Sequence, residues 1–135
     1  MNHKLVYLDS SAIIKIVVSE PESKKLFELL SLWPARVSSE LARTEVLRAL
    51  RRAGASVAEF RRGQKAIERV GLIPVDSSIL SDAALLKPVL LRSLDAIHLA
   101  TALSLRMELE AIITYDTRLS DAAVGAKMRV WSPGL

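Results

Sequence analysis

The chain has 135 residues and no cysteine, which excludes a disulfide framework, thiolate zinc sites, iron–sulfur clusters and thiol nucleophiles. Aromatic residues are scarce, six in all, so base stacking has little to work with. Glycine and proline number five each, and there is no linker-like stretch, glycine-rich phosphate loop, G-x-S-x-G or H-E-x-x-H segment. No apolar run reaches the roughly 18 residues of a membrane helix, and the amino-terminal stretch is interrupted by Asp9 and Lys15, so no membrane or secretory segment is expected. Together these absences point to a cytoplasmic protein.

Half of the residues are hydrophobic and a quarter charged, the balance of one globular domain over residues 1–135. A chain of this length buries about two thirds of its unfolded surface, so it needs no staple. The net charge of +4 permits nucleic-acid binding without establishing it. Its distribution says more: from Arg36 to Arg69 there are nine basic residues against four acids, and the rest of the chain is slightly acidic.

Short β-forming runs alternate with helical patterns. KLVYL (4–8), ARVS (35–38), LIPVD (72–76), AIIT (111–114) and MRVW (128–131) read as strands. Helices are expected over AIIKIVV, after a capping box at Ser19–Glu22 and ending near Pro34, from an N-cap at Ser39 to Gly54, and after a second capping box at Ser56–Glu59 to Gly71. Further helices should start at Asp76 or Ser77 and be broken by Pro88, start at Ser93, and start at Asp116-Thr117. Strands alternating with helices imply an α/β fold with a parallel sheet covered on both faces. Ligands then bind beyond the carboxyl ends of the strands, where strand order reverses.

Asp9 follows the strand KLVYL and Asp116 follows the strand AIIT. The bland reading of either is a helix N-cap or turn residue. Glu45 shares a helical face with Ala42, Val46 and Ala49, and Asp95 with His98, Leu99 and Ala102, so both acids point toward apolar sides. An ionised carboxylate in that position needs a cation, either an arginine such as Arg43, Arg48 or Arg92, or a metal. Four acids converging on one cleft favour the metal, and oxygen donors without cysteine favour Mg²⁺ or Mn²⁺ over Zn²⁺. Ser10, Ser11 and Thr114 could orient those carboxylates or serve only as caps. His98 is read as a packed core residue in preference to a ligand, and His3 as inert. A phosphatase with an aspartyl nucleophile is disfavoured because position 11 is serine, and a phospho-acceptor domain because Asp9 has no paired acid.

Four segments, YLDSSAIIKI, SSELARTEVLRAL, LRSLDAIHLATAL and IITYDTRL, occur in an order and spacing that resembles PIN-domain nucleases, specifically VapC-type toxins of toxin–antitoxin systems. The resemblance spans nearly the whole chain. It implies a three-layer α/β/α sandwich with a five-stranded, mainly parallel sheet of order 3-2-1-4-5. It assigns catalytic, metal-binding roles to Asp9, Glu45, Asp95 and Asp116, with Thr114 at the hydroxyl position before the last acid. The further acid that many PIN nucleases carry is missing from Asp116-Thr117-Arg118-Leu119.

The implied activity is Mg²⁺- or Mn²⁺-dependent endoribonuclease action, in which metal-activated water held by four carboxylates hydrolyses RNA phosphodiester bonds with one or two ions. The alternative is a catalytically silent PIN-like module that binds RNA or protein. Arg43, Arg48, Arg51, Arg52, Arg61 and Arg62 are the candidate RNA contacts, with Lys65 and Arg69 beside them. The resemblance also implies a homodimer, and a heterotetramer or larger with a cognate VapB-type antitoxin whose carboxyl-terminal segment crosses the groove. Ile13, Ile14, Val17, Leu26, Leu29, Leu30 and Trp33 are candidates for core or for that interface.

Overall fold

The computed structural model describes residues 4–135; His3 lies outside the described residues. The elements in chain order are β1 (Leu5–Leu8), α1 (Ser10–Val17), α2 (Ser23–Leu30), β2 (Arg36–Ser39), α3 (Leu41–Arg52), α4 (Val57–Glu68), β3 (Gly71–Ile73), α5 (Ser77–Ala84), α6 (Ser93–Ser104), β4 (Leu109–Ile113), α7 (Thr117–Gly125) and β5 (Val130–Trp131). The sheet has the order β3-β2-β1-β4-β5, as expected, and each of its pairings is parallel. Central parallel strands covered on both faces are largely apolar, and Val6, Tyr7 and Leu8 of β1 and Ala111, Ile112 and Ile113 of β4 are buried.

Alternation along β1 separates two cores. Val6 and Leu8 face α1 to α4 with Ile13, Leu26, Val46, Leu50 and Ile67. Tyr7 faces the other side with Leu99, Ala102, Leu119 and Ala123 of α6 and α7. Of the early apolar residues, Ile13, Val17, Leu26 and Leu30 are buried, while Ile14, Leu29 and Trp33 pack on their edge, so they serve the core.

Several element boundaries differ from expectation. Ser19 caps nothing: Glu20 and Glu22 turn instead to Lys15 at 3.4 and 2.9 Å. The Ser23 hydroxyl accepts from the Glu20 amide and donates to the Lys15 carbonyl, stapling the end of α1 to the start of α2. Glu40, not Ser39, is the N-cap of α3, although the Ser39 hydroxyl still accepts from the Leu41 amide. The Ser56–Glu59 capping box forms as read. Gly71 opens β3 rather than closing α4, and Pro74, with no N–H, ends the strand early. Arg92, not Ser93, occupies the N-cap of α6. Pairing brings β4 forward to Leu109 and limits β5 to Val130 and Trp131.

Gly54 ends α3 with φ +73°, where the Ala55 amide returns to the Leu50 carbonyl. Gly63 lets α4 lie against α3, because a Cβ there would stand 2.5 Å from Leu50 Cδ1. Leu50 is fully enclosed and has nowhere to go. Gly63→Val should therefore lower stability by about 1–3 kcal/mol, read as a lower urea midpoint; an unchanged midpoint would show that the α3–α4 contact is loose.

Candidate active site

Order reverses between β1 and β4, and their carboxyl ends deliver Asp9 and Asp116 side by side in the fold. Each is also an N-cap, so the bland reading holds for both. Asp9 Oδ1 accepts from the Ala12 amide of α1, and Asp116 Oδ1 from the Arg118 and Leu119 amides of α7. Each aspartate thus uses one oxygen for its helix and turns the other elsewhere. Helix N-termini favour negative charge, and α6 adds a third with Asp95 in its first turn.

Asp9 is 4% exposed and is met by hydroxyls. Thr114 Oγ1 donates to Oδ2 at 2.6 Å and Ser11 Oγ to Oδ1 at 2.7 Å. The same hydroxyl oxygens accept from the Asp116 and Tyr115 amides, which ties the β4–α7 loop to β1. Burial pushes the Asp9 carboxyl above its ordinary 3.8, against the pull of Ser11 and Thr114.

Glu45 projects from α3 beneath α6. His98 Nε2 lies 2.6 Å from its Oε1, and Ser10 Oγ donates to the same oxygen at 2.7 Å. The Tyr7 hydroxyl meets His98 Nδ1 at 2.7 Å with the rings edge to face. Burial and the Asp9 charge both raise the Tyr7 phenol, so it stays protonated and donates. His98 is then assigned the tautomer that accepts at Nδ1 and donates from Nε2 to Glu45. Burial works against the Glu45 charge, but the hydrogen bonds from His98 and Ser10 hold its carboxyl below the ordinary value.

Asp95 and Asp116 share one cation. Arg92 reaches Asp95 Oδ2 from Nε at 3.4 Å and Asp116 Oδ2 from Nη2 at 3.5 Å. Burial first, and the charge of Asp116 second, raise the Asp95 carboxyl, while Arg92 opposes them. The four predicted acids therefore surround one region but stand as a Glu45–His98 pair, an Asp95–Asp116 pair and an enclosed Asp9. Among the described residues no three carboxylate or imidazole groups already form a closed ligand set. In chemistry the donors suit a hard divalent cation: they are oxygens, partly desolvated, and two of them repel each other. In position, Arg92 supplies the positive charge that such an ion would supply.

Sequence reasoning passed over Tyr7 and undervalued His98 and Arg92. Two spacings carried the signal: Tyr7 lies two residues before Asp9 on one face of a strand, and His98 three after Asp95 on one face of a helix. Arg43, Arg48, Arg51, Arg52, Arg61 and Arg62 are all exposed, on α3 and α4. Arg36, counted among the basic residues, is not available. Its guanidinium donates to the Leu30 and Trp33 carbonyls at the end of α2.

A parallel three-layer α/β/α protein with aspartates past two neighbouring strands belongs to the doubly wound α/β class, in which strand order reverses at a switch point. The PIN domain profile matches residues 6–125. Ribonuclease VapC46 of Mycobacterium tuberculosis is 48% identical over 128 residues, covering 95% of this chain and 97% of the relative. Ribonuclease VapC47 of the same organism is 33% identical over 134 residues, covering 96% and 98%. The chain belongs to the PIN-domain family, among the VapC-type proteins. Two solved structures share the fold: a toxin–antitoxin complex from Klebsiella pneumoniae, TM-score 0.71 at 23% identity over 95% of this chain and 97% of that one, and Mycobacterium tuberculosis VapC20, described as a sarcin–ricin loop cleaving toxin, TM-score 0.69 at 14% identity over 87% and 94%.

The burial of Asp9 gives a pH test with a definite sign. A folded-state carboxyl raised above its unfolded value contributes stability below about 3.8 that is lost as pH rises through the raised value. Asp9→Asn, which keeps an N-cap side chain, should melt above wild type at neutral pH, and the difference in Tm should close as the pH is lowered into the acid range. A Tm difference independent of pH would show that Asp9 is not ionised at its own cost.

Proposed function

We propose that this chain is the toxin of a toxin–antitoxin pair and that it hydrolyses RNA phosphodiester bonds as an Mg²⁺- or Mn²⁺-dependent endoribonuclease. The observation that carries this reading is the arrival of Asp9, Glu45, Asp95 and Asp116 around one switch point, on the topology of a family whose relatives here are named ribonucleases. Asp9, Asp95 and Asp116 would hold the cation, with Glu45 beside them. When bound, such an ion supplies Lewis-acid charge at the phosphate and lowers the pKa of the attacking water.

The chain's own groups do the rest. Ser11 and Thr114 fix the rotamer of Asp9, so its outward lone pairs need no reorganisation. Ser10 and the Tyr7–His98 pair do the same for Glu45, whose lowered pKa keeps it an acceptor at neutral pH. The exposed arginines of α3 and α4 would track the RNA backbone, offsetting the repulsion of an acidic centre. With six aromatics in the chain, recognition would rest on shape and phosphates more than on stacking. A cognate VapB-type antitoxin would silence the groove, and a homodimer would set two grooves in one particle.

A silent binding module is the second reading, and the ion-paired state of Asp95 and Asp116 is what favours it. One experiment separates the two. Antitoxin-free protein incubated with total cellular RNA and Mn²⁺ should produce discrete fragments, and excess chelator should stop it. Asp9→Asn and Asp116→Asn, both competent caps, should lower the rate by roughly two orders of magnitude, the scale of several kcal/mol of transition-state charge stabilisation. Cleavage that survives chelator, or that the variants match, would contradict the nuclease reading.

A further inference from the structure

Arg92 is an oddly placed cation. Its backbone is the N-cap of α6, the end of a helix that favours anions, and it makes no side-chain cap. Its side chain is 61% exposed and reaches inward only to Asp95 and Asp116. Both contacts, at 3.4 and 3.5 Å, are longer than the roughly 2.7–2.9 Å of a strong charge-assisted bond. No other lysine or arginine among the described residues forms an ion pair with either aspartate.

The residues just before it form a turn closed by the Leu91 amide on the Pro88 carbonyl. The side chain thus hangs from the end of a surface loop, held by the two carboxylates and opposed by the helix it precedes. With the side chain 61% exposed, water can take the place of either carboxylate, so the guanidinium is free to leave them and meet another anion. The anion that would come to this centre is a phosphodiester.

We propose that Arg92 is an exchangeable counter-ion: it bridges Asp95 and Asp116 until a divalent cation takes their charge, and then turns outward to grip a phosphate of the RNA. This rests on the nuclease reading and adds a residue to it. The exchange makes two opposite demands on one substitution. Arg92→Ala removes a competitor, so Mn²⁺ should bind more tightly, by about fivefold for the loss of one exposed ion-paired cation. It also removes a phosphate ligand, so cleavage at saturating Mn²⁺ should fall roughly tenfold or more. Arg92→Lys, which keeps the charge without the planar fork, should return Mn²⁺ affinity to near the wild-type value and restore part of the rate.

Mn²⁺ binding to the full chain is read without RNA, by electron paramagnetic resonance of the free ion, and cleavage by initial rates on total RNA. Tighter Mn²⁺ binding together with slower cleavage in Arg92→Ala supports the exchange. Unchanged or weaker Mn²⁺ binding overturns it, because Arg92 would then be idle or would be organising the site. Tighter binding with undiminished cleavage overturns it too, since no phosphate grip would have been lost. If wild type neither binds Mn²⁺ nor cuts RNA, the nuclease reading fails and takes this proposal with it; if wild type does both, a failure lies with Arg92 alone.

Discussion

A carboxylate withdrawn from water must be met by donors, and the enclosure of Asp9 is the constraint on which the functional end of this molecule depends. Its donors come from two chain segments far apart in sequence, Ser11 and Ala12 after β1 and Thr114 after β4. Satisfying one buried charge therefore pins together the two strands at the point where sheet order reverses. The pinning hydroxyls also accept from the Tyr115 and Asp116 amides, so the loop that carries the second aspartate is set by the first. The raised Asp9 carboxyl is the residual cost of that enclosure, and a bound divalent cation would offset it.

The other acids are balanced in different ways, and the differences suggest a division of labour. Glu45 is held ionised by His98 of α6 and Ser10 of α1, which meet the same carboxylate oxygen. Asp95 and Asp116 are left repelling each other, with an exposed arginine between them. One carboxylate is thus held by two hydrogen bonds, one is enclosed, and two share a single exposed cation. Capping offsets part of the cost of such a centre, since one oxygen of Asp9 and one of Asp116 finish α1 and α7.

Much of this was legible in the chain. LVYL and AII are short unbroken apolar runs, as a parallel strand covered on both faces requires, and an acid follows each where such sheets place ligands. Helical spacing correctly turned Glu45 and Asp95 inward. What was not legible depended on choices between partners. Ser19 through Glu22 has the spacing of a capping box, but Lys15 competes for both glutamates and wins, and nothing local encodes that outcome. His98 was read as core, and it is buried; its bond to Glu45 follows from how α3 and α6 sit against β2, which periodicity within one helix does not report. Arg92 looked like one of several arginines able to pair with an acid, and only the fold shows it bridging two. Arg36 looked like part of a basic surface, whereas it closes the end of α2.

The central claim is that these carboxylates form one divalent-cation site. Anomalous diffraction from crystals grown with Mn²⁺ tests it most directly. The expected result is a manganese peak bounded by Asp9, Asp95 and Asp116, with the Arg92 guanidinium displaced from between the latter two. A peak elsewhere, or none while Arg92 still bridges Asp95 and Asp116 at saturating Mn²⁺, would contradict it.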